Sequence, residues 1–179
     1  MKILFLSDIH GVYKNLDYID TVIKRENIDK LVVLGDLYYC GPAYYQDLDI
    51  NGEKVKDFLT KYKDILICMK GNCDSLVDIK VSDFPICDSL GLLLVDGINL
   101  YITHGNEYNR YNHHKLSEGV LIYGHEHVPY IIKEDNLISI CVGSISLPRG
   151  GSKPSYMIYN NKKFTIYDID GGVVDSIRV

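Results

Sequence analysis

The stretch Met1-Lys2-Ile3-Leu4-Phe5-Leu6-Ser7-Asp8-Ile9-His10 decides the fold. Ile3 to Leu6 form a short apolar run that stops at a small polar residue, as a buried strand does. Just past it, Asp8 and His10 place a carboxylate and an imidazole at the C-terminal end of that strand. Ligands gather at this end of the strands in open α/β folds, so the segment predicts an α/β chain whose chemistry sits on strand ends.

The same pattern recurs outward from it. Leu31 to Leu34, Ile65 to Met69, Leu90 to Val95, Leu100 to Ile102, Val120 to Tyr123, Leu137 to Val142, Tyr156 to Tyr159 and Phe164 to Tyr167 are short apolar runs bounded by Gly, Asp or Asn. Their length and β-branched content favour strands. Helical spacing occurs at Leu16, Ile19, Val22 and Ile23, and again at Val55, Phe58, Leu59 and Tyr62. The first half therefore reads strand, helix, strand, helix, strand. From Leu90 onward the helical signal fades, and turn signals at Asp96-Gly97 and Asn160-Asn161 join successive strands. Tyr38 to Glu53 lacks periodicity and is expected to be a long surface loop, either functional or a solvated connector.

Five motifs fall at strand ends: Asp8-Ile9-His10, Gly35-Asp36, Gly71-Asn72-Cys73-Asp74, His104-Gly105 and Gly124-His125-Glu126-His127. Read as extended backbone, residues two apart share a side, so Asp8 with His10, and His125 with His127, are each expected to aim at one centre. Glu126 would then point away. Taken singly, each motif competes with a bland reading, an exposed turn or a structural histidine. Their joint occurrence at successive strand ends does not. Imidazole and oxygen donors without thiolate suit Mn²⁺, Fe²⁺, Ni²⁺ or Zn²⁺.

The ordered set D-x-H, G-D, G-N-x-D, H-G and G-H-x-H resembles the calcineurin-like metallophosphoesterase superfamily over nearly the whole chain. Gly71-Asn72-Cys73-Asp74-Ser75, Thr103-His104-Gly105, Tyr123-Gly124-His125 and Gly143-Ser144-Ile145-Ser146-Leu147-Pro148 are similar to its small bacterial YfcE-type phosphodiesterases. The resemblance implies a four-layer αββα sandwich of two mixed sheets flanked by helices. It also implies two metal ions, manganese foremost, one held by Asp8, His10 and His127 and the other by Asn72, His104 and His125. Asp36 would bridge them, and Asp36, Asn72 and His104 would stand at the reacting centre. The expected chemistry is attack of a metal-bridging hydroxide on a small phosphodiester or other phosphate ester. A phosphomonoesterase or nuclease is the rival within the class. A noncatalytic interaction scaffold is the rival outside it, since the same fold occurs as a protein-sorting subunit. A homo-oligomer, dimer or tetramer, is compatible with the family.

One position departs from the superfamily pattern. Cys73 stands where many members carry a histidine that helps stabilise the transition state or protonates the leaving oxygen, and a thiol is a poor substitute. His113 and His114 could supply the missing proton or form an exposed pair. Asp74 could orient a ligand or cap a helix with Ser75, and Arg149 could meet a phosphate oxygen or stay solvated.

Composition narrows the alternatives. The 179 residues, 46% of them hydrophobic, are expected to form one domain spanning 1–179. A net charge of −5 argues against an extended duplex nucleic-acid surface. The four apolar residues after Lys2 are too few for a signal-peptide core or a membrane span, so a cytoplasmic location is expected. Five cysteines without a C-x-x-C pair fit a reducing compartment. The fifteen tyrosines, including the pairs Tyr38-Tyr39 and Tyr44-Tyr45, reflect either biased usage or an aromatic platform.

Overall fold

The computed structural model describes residues 1–41, 49–134 and 136–179. Its elements in chain order are β1 (Lys2–Leu6), α1 (Leu16–Glu26), β2 (Lys30–Val33), α2 (Gly52–Lys61), β3 (Leu66–Met69), α3 (Leu76–Val81), β4 (Ile86–Cys87) and β5 (Leu90–Val95). There follow β6 (Ile98–Thr103), β7 (Gly119–Tyr123), β8 (Pro129–Glu134), β9 (Leu137–Val142), β10 (Ser155–Asn160), β11 (Lys163–Asp168) and β12 (Val173–Arg178).

The opening run pairs in parallel with β2, and β3 and β4 extend that set. On its other side β1 meets β10 antiparallel, completing a seven-stranded sheet ordered β12-β11-β10-β1-β2-β3-β4. The second sheet, ordered β5-β6-β7-β9-β8, is also mixed, with β6, β7 and β9 parallel. Both faces of β1 to β3 in the first sheet are covered, which is why these strands read as unbroken apolar runs. Leu4, Leu6, Leu31 and Val33 pack with α1 and α2, while Ile3, Phe5, Val32 and Leu34 meet Leu100, Ile102, Val120 and Ile122 of the second sheet.

The two helical spacings are the buried stripes of α1 and α2. The first helix ends at Asn27 in the left-handed conformation (φ 51°), whose N–H reaches the carbonyls of Ile23 and Lys24. The second begins at Asn51, whose side chain accepts from the Lys54 N–H. Gly52 and Glu53 thus belong to α2 and not to the loop expected from Tyr38 to Glu53. Residues 42–48 of that segment, with Tyr44-Tyr45, lie outside the described residues.

The architecture is the expected αββα-like sandwich. The helices among the described residues all precede β4, and the irregular segment 104–118 lies over only part of the outer face of the five-stranded sheet, leaving Leu92 and Leu94 of β5 exposed. There Tyr108 and Leu116 pack on Tyr101, Leu121 and Tyr123. Asp96 and Gly97 form the expected β5–β6 turn, with φ of 51° and 80°. The second turn is displaced by one residue, because Asn160 still pairs with Lys163 and the positive φ values fall on Asn161 and Lys162. No helix among the described residues is long and apolar enough to cross a membrane, and all five cysteines are free.

Candidate metal centre

The motif side chains follow parallel strands and collect at one end of the sandwich. Asp8 and His10 follow β1, Asp36 follows β2 and Asn72 follows β3, while His104 follows β6 and His125 and His127 follow β7. The backbone there is not extended. Asp8, His10, Asp36, His125 and His127 all have left-handed φ, between 52° and 63°. Such values are sparse for side-chain-bearing residues, though Asp, Asn and His tolerate them best, and they cluster at functional sites. The expectation that His125 and His127 aim at one centre is therefore corrected. The left-handed turns send His127 toward His10 and His125 toward His104, with Nε2–Nε2 and Nδ1–Nε2 separations of 3.4 and 3.2 Å.

Two glycines permit this crowding. A Cβ at Gly71 would lie 2.1 Å from Asp36 Oδ1, and one at Gly124 would lie 1.8 Å from Ser7 Oγ and 2.5 Å from Asp8 Oδ2. Interstrand bonds fix the loops: Asp8 N–H to Gly35 O at 3.1 Å, His10 N–H to Asp36 O at 2.9 Å and Gly124 N–H to His104 O at 2.9 Å.

Hydrogen bonding then sets what the centre lacks. The Nδ1 atoms of His10, His127 and His104 face the carbonyls of Tyr39, Leu147 and Leu34 at 2.7, 2.5 and 2.8 Å. A carbonyl only accepts, so each Nδ1 carries the proton and each Nε2 presents a lone pair. His10 Nε2 and His127 Nε2 thus oppose each other beside Asp8 Oδ1, which is 3.1 Å from His127 Nε2 and is buried without a hydrogen bond. Similarly, His104 Nε2 faces Asn72 Oδ1 at 2.9 Å and Asp36 Oδ2 at 3.4 Å. Asp36 Oδ2 also lies 3.6 Å from His10 Nε2, between the two groups. Acceptors converge on acceptors at both points. Either an added proton or a cation resolves each, and the donor set suits a divalent ion.

The electrostatics of the chain alone carry the same deficit. Burial opposes charge on His104, but Asp36, the charge of Asp8 and the Leu34 carbonyl outweigh it and raise its pKa to about 9. His10 is raised against its burial by Asp8, the Tyr39 carbonyl and Asp36. Burial would raise Asp8, yet His10 and His127 hold its carboxyl far below the usual range. Burial and the neighbouring His104 charge push His125 down. The Cys73 thiol is pushed up to about 12 by burial and by the Asp36 carboxylate.

The remaining polar candidates separate clearly. Asp74 is buried and accepts from the N–H groups of Gly71, Asp36 and Leu37 at 2.7, 2.9 and 2.8 Å, so it ties the β3 end to the β2 end and orients Asp36. The helix cap is Ser75, in a reciprocal capping box with Asp78. Cys73 donates its backbone N–H to Asp36 Oδ1 at 2.8 Å, and its sulfur lies near His10 and Asp36. Glu126 does face away, accepting from the Tyr130 hydroxyl at 3.0 Å. Arg149 is exposed, and only its N–H engages the centre's scaffold, at His127 O. Among the described residues no hydrogen bond joins the His113 or His114 ring to the centre. Ser144 was not singled out from the sequence. Its hydroxyl donates to Asp8 O and accepts from the N–H groups of Ser146 and Leu147, holding the carbonyl that orients His127.

Two adjoining His/Asp groups, Asp8-His10-His127 and Asp8-Asp36-His104, at the strand ends of such a sandwich define a metal-dependent hydrolase with a binuclear-type site. Residues 1–163 match the Calcineurin-like phosphoesterase superfamily domain, and the chain belongs to that family. It is 31% identical to Phosphodiesterase YfcE of Escherichia coli K12, covering 100% of this chain and 98% of that one. It is 25% identical to the Probable metallophosphoesterase YsnB of Bacillus subtilis, over 99% and 97%. The solved structure of YfcE, a phosphoesterase from E. coli, superposes with a TM-score of 0.94 at 29% identity, over 99% of both chains. Vacuolar Protein Sorting 29 from Cryptosporidium parvum has a TM-score of 0.67 at 14% identity over 99% and 98%, a likeness of fold alone.

Proposed function

We propose that the chain hydrolyses phosphodiesters, with Asp8, His10 and His127 holding one divalent ion and Asn72, His104 and His125 the other. Asp36 Oδ2, between His10 and His104, faces both. The convergence of lone pairs locked by three backbone carbonyls carries this reading. The chemistry that bound ions supply is activation of water and neutralisation of charge on the phosphoryl oxygens. The chain's own work is to fix the imidazole tautomers, to orient Asp36 through Asp74 and to keep the Cys73 thiol protonated. Manganese is the proposed metal, a soluble cytoplasmic enzyme the proposed form, and a homo-oligomer the proposed assembly.

Two divalent ions offset by Asp8, Asp36 and an attacking hydroxide leave one positive charge, which matches a diester monoanion better than a monoester dianion. Likeness to YfcE, a protein named a phosphodiesterase, supports the same choice. The complete ligand set speaks against a purely scaffolding role. Titration of Mn²⁺, Ni²⁺, Fe²⁺ and Zn²⁺ into chelated protein, followed with aryl mono- and diesters, tests the proposal. Diester hydrolysis saturating with metal is the expected result. Metal binding without hydrolysis of either ester would leave the scaffold reading standing.

A further inference from the structure

A small pocket of about 120 Å³ opens beside the metal centre, with Asn72 as a shared wall. It is built where three loops meet. Lys70 follows β3, Asp88 and Ser89 link β4 to β5 across the two sheets, and Asn106 and Glu107 follow His104. The backbone around it is tied down: Lys70 N–H donates to Cys87 O at 2.8 Å, Thr103 Oγ1 to Ser89 O at 2.6 Å and Asn112 Nδ2 to Glu107 O at 2.6 Å. The side chains of Lys70, Asp88, Ser89, Asn106 and Glu107 are a different matter. None makes a hydrogen bond or ion pair among the described residues; Asp88, Asn106 and Glu107 are exposed and Lys70 and Ser89 half-buried, so five solvent-facing polar groups ring the cavity without a protein partner.

Size and charge limit what can occupy it. The space is comparable to about four waters at ~30 Å³ each, enough for a short chain and too small for a nucleoside. Asp74, Asp88 and Glu107 against Lys70 leave two formal negative charges, which repel a second phosphate and favour hydrogen-bond donors. We propose that the pocket receives the ester arm that stays on phosphorus, and that this arm is a short alcohol bearing ammonium or hydroxyl donors. The substrate class is then a phosphodiester of a small amino alcohol or polyol. This inference rests on the phosphodiesterase reading above and specifies its substrate.

The test uses 4-nitrophenyl diesters with 2-aminoethyl, 2,3-dihydroxypropyl, methyl and thymidinyl arms on the metal-loaded full chain. The bond cleaved, phosphorus to nitrophenolate oxygen, is the same in all four, so differences report the arm. The donor-bearing arms are expected to exceed methyl by about tenfold in kcat/KM, as hydrogen bonds to charged groups allow, with thymidinyl lowest. Asp88→Asn with Glu107→Gln is expected to bring the aminoethyl-to-methyl ratio close to one. Calorimetric binding of 2-aminoethyl methylphosphonate, which has no activated aryl leaving group, should be tighter than that of methyl methylphosphonate by a similar factor. Hydrolysis of all four esters without preference, or a ratio untouched by the double substitution, overturns the pocket assignment. Preferential binding without hydrolysis under any divalent ion overturns the phosphodiesterase reading and leaves the pocket standing.

Discussion

Three backbone carbonyls, on Leu34, Tyr39 and Leu147, decide what His104, His10 and His127 can do. The imidazoles themselves were visible in the sequence as motif residues. Their tautomers were not, because any residue can supply a carbonyl and no side-chain pattern marks it. A proton and a metal ion compete for the same lone pairs, which gives a signed pH dependence. In the chain without metal, the folded pKa of His104 rises from 6.5 to about 9. That contribution to stability is fully present below 6.5 and is lost as pH climbs through about 9. Metal loading must displace this proton, so the gain in Tm on adding Mn²⁺ should grow between pH 6.5 and 8.5. Paired thermal melts with and without metal check it, and a gain that shrank with rising pH would contradict the tautomer assignment. Cys73 permits a second expectation. A thiol pushed up to about 12 is a weak proton donor, so rates should fall steeply from nitrophenyl to alkyl leaving groups. Cys73→Ser should leave that slope unchanged; a steeper slope in the variant would make the thiol the acid.

At the scale of elements, the strands and both long helices were legible because their burial has a period. β1 to β3 are covered on both faces, and α1 and α2 each bury one stripe. What escaped lacks that imprint. α3 buries none of its residues, β4 has two residues, and β8 and β12 are at most half-buried. The strand ends were placed correctly but their conformation was not, since the left-handed turns at Asp8, His10, Asp36, His125 and His127 replace the extended geometry. Tight approach between loops, and not alternation along one strand, brings the side chains together. Gly124→Ala tests this, because its Cβ would lie 1.8 Å from Ser7 Oγ and 2.5 Å from Asp8 Oδ2. Overpacking of this kind costs about 1–3 kcal/mol. The variant should keep its far-ultraviolet dichroism at 25 °C while losing the Asp8 metal site in equilibrium dialysis. Full metal stoichiometry in the folded variant would show that the close approach is dispensable.

Across the whole molecule, the candidate ligands divide between the sheets. Asp8, His10, Asp36 and Asn72 come from loops of the seven-stranded sheet, and His104, His125 and His127 from the five-stranded one. Local patterning foretold that strands would be many and short, but not which would be neighbours. Sheet order depends on contacts such as β1 with β10, which are remote in sequence. Because the ligands straddle that division, bound ions would cross-link the two sheets at their ligand-bearing end. Binding to the folded state alone at a hundredfold excess over Kd stabilises by ~2.7 kcal/mol, which for a chain of this size is about 5–10 °C in Tm. Chelation of the metal-loaded protein should lower Tm by that amount, and readdition of Mn²⁺ should restore it. Asp36 faces both ligand groups and makes its N–H bond to Asp74 through the backbone, so Asp36→Asn preserves the fold while weakening both sites. The variant should lose most of the metal-dependent gain in Tm together with diester hydrolysis, while its melting in chelator stays within a few degrees of the parent. Full metal stoichiometry with full activity in Asp36→Asn would refute a shared carboxylate, and with it the two-metal reading.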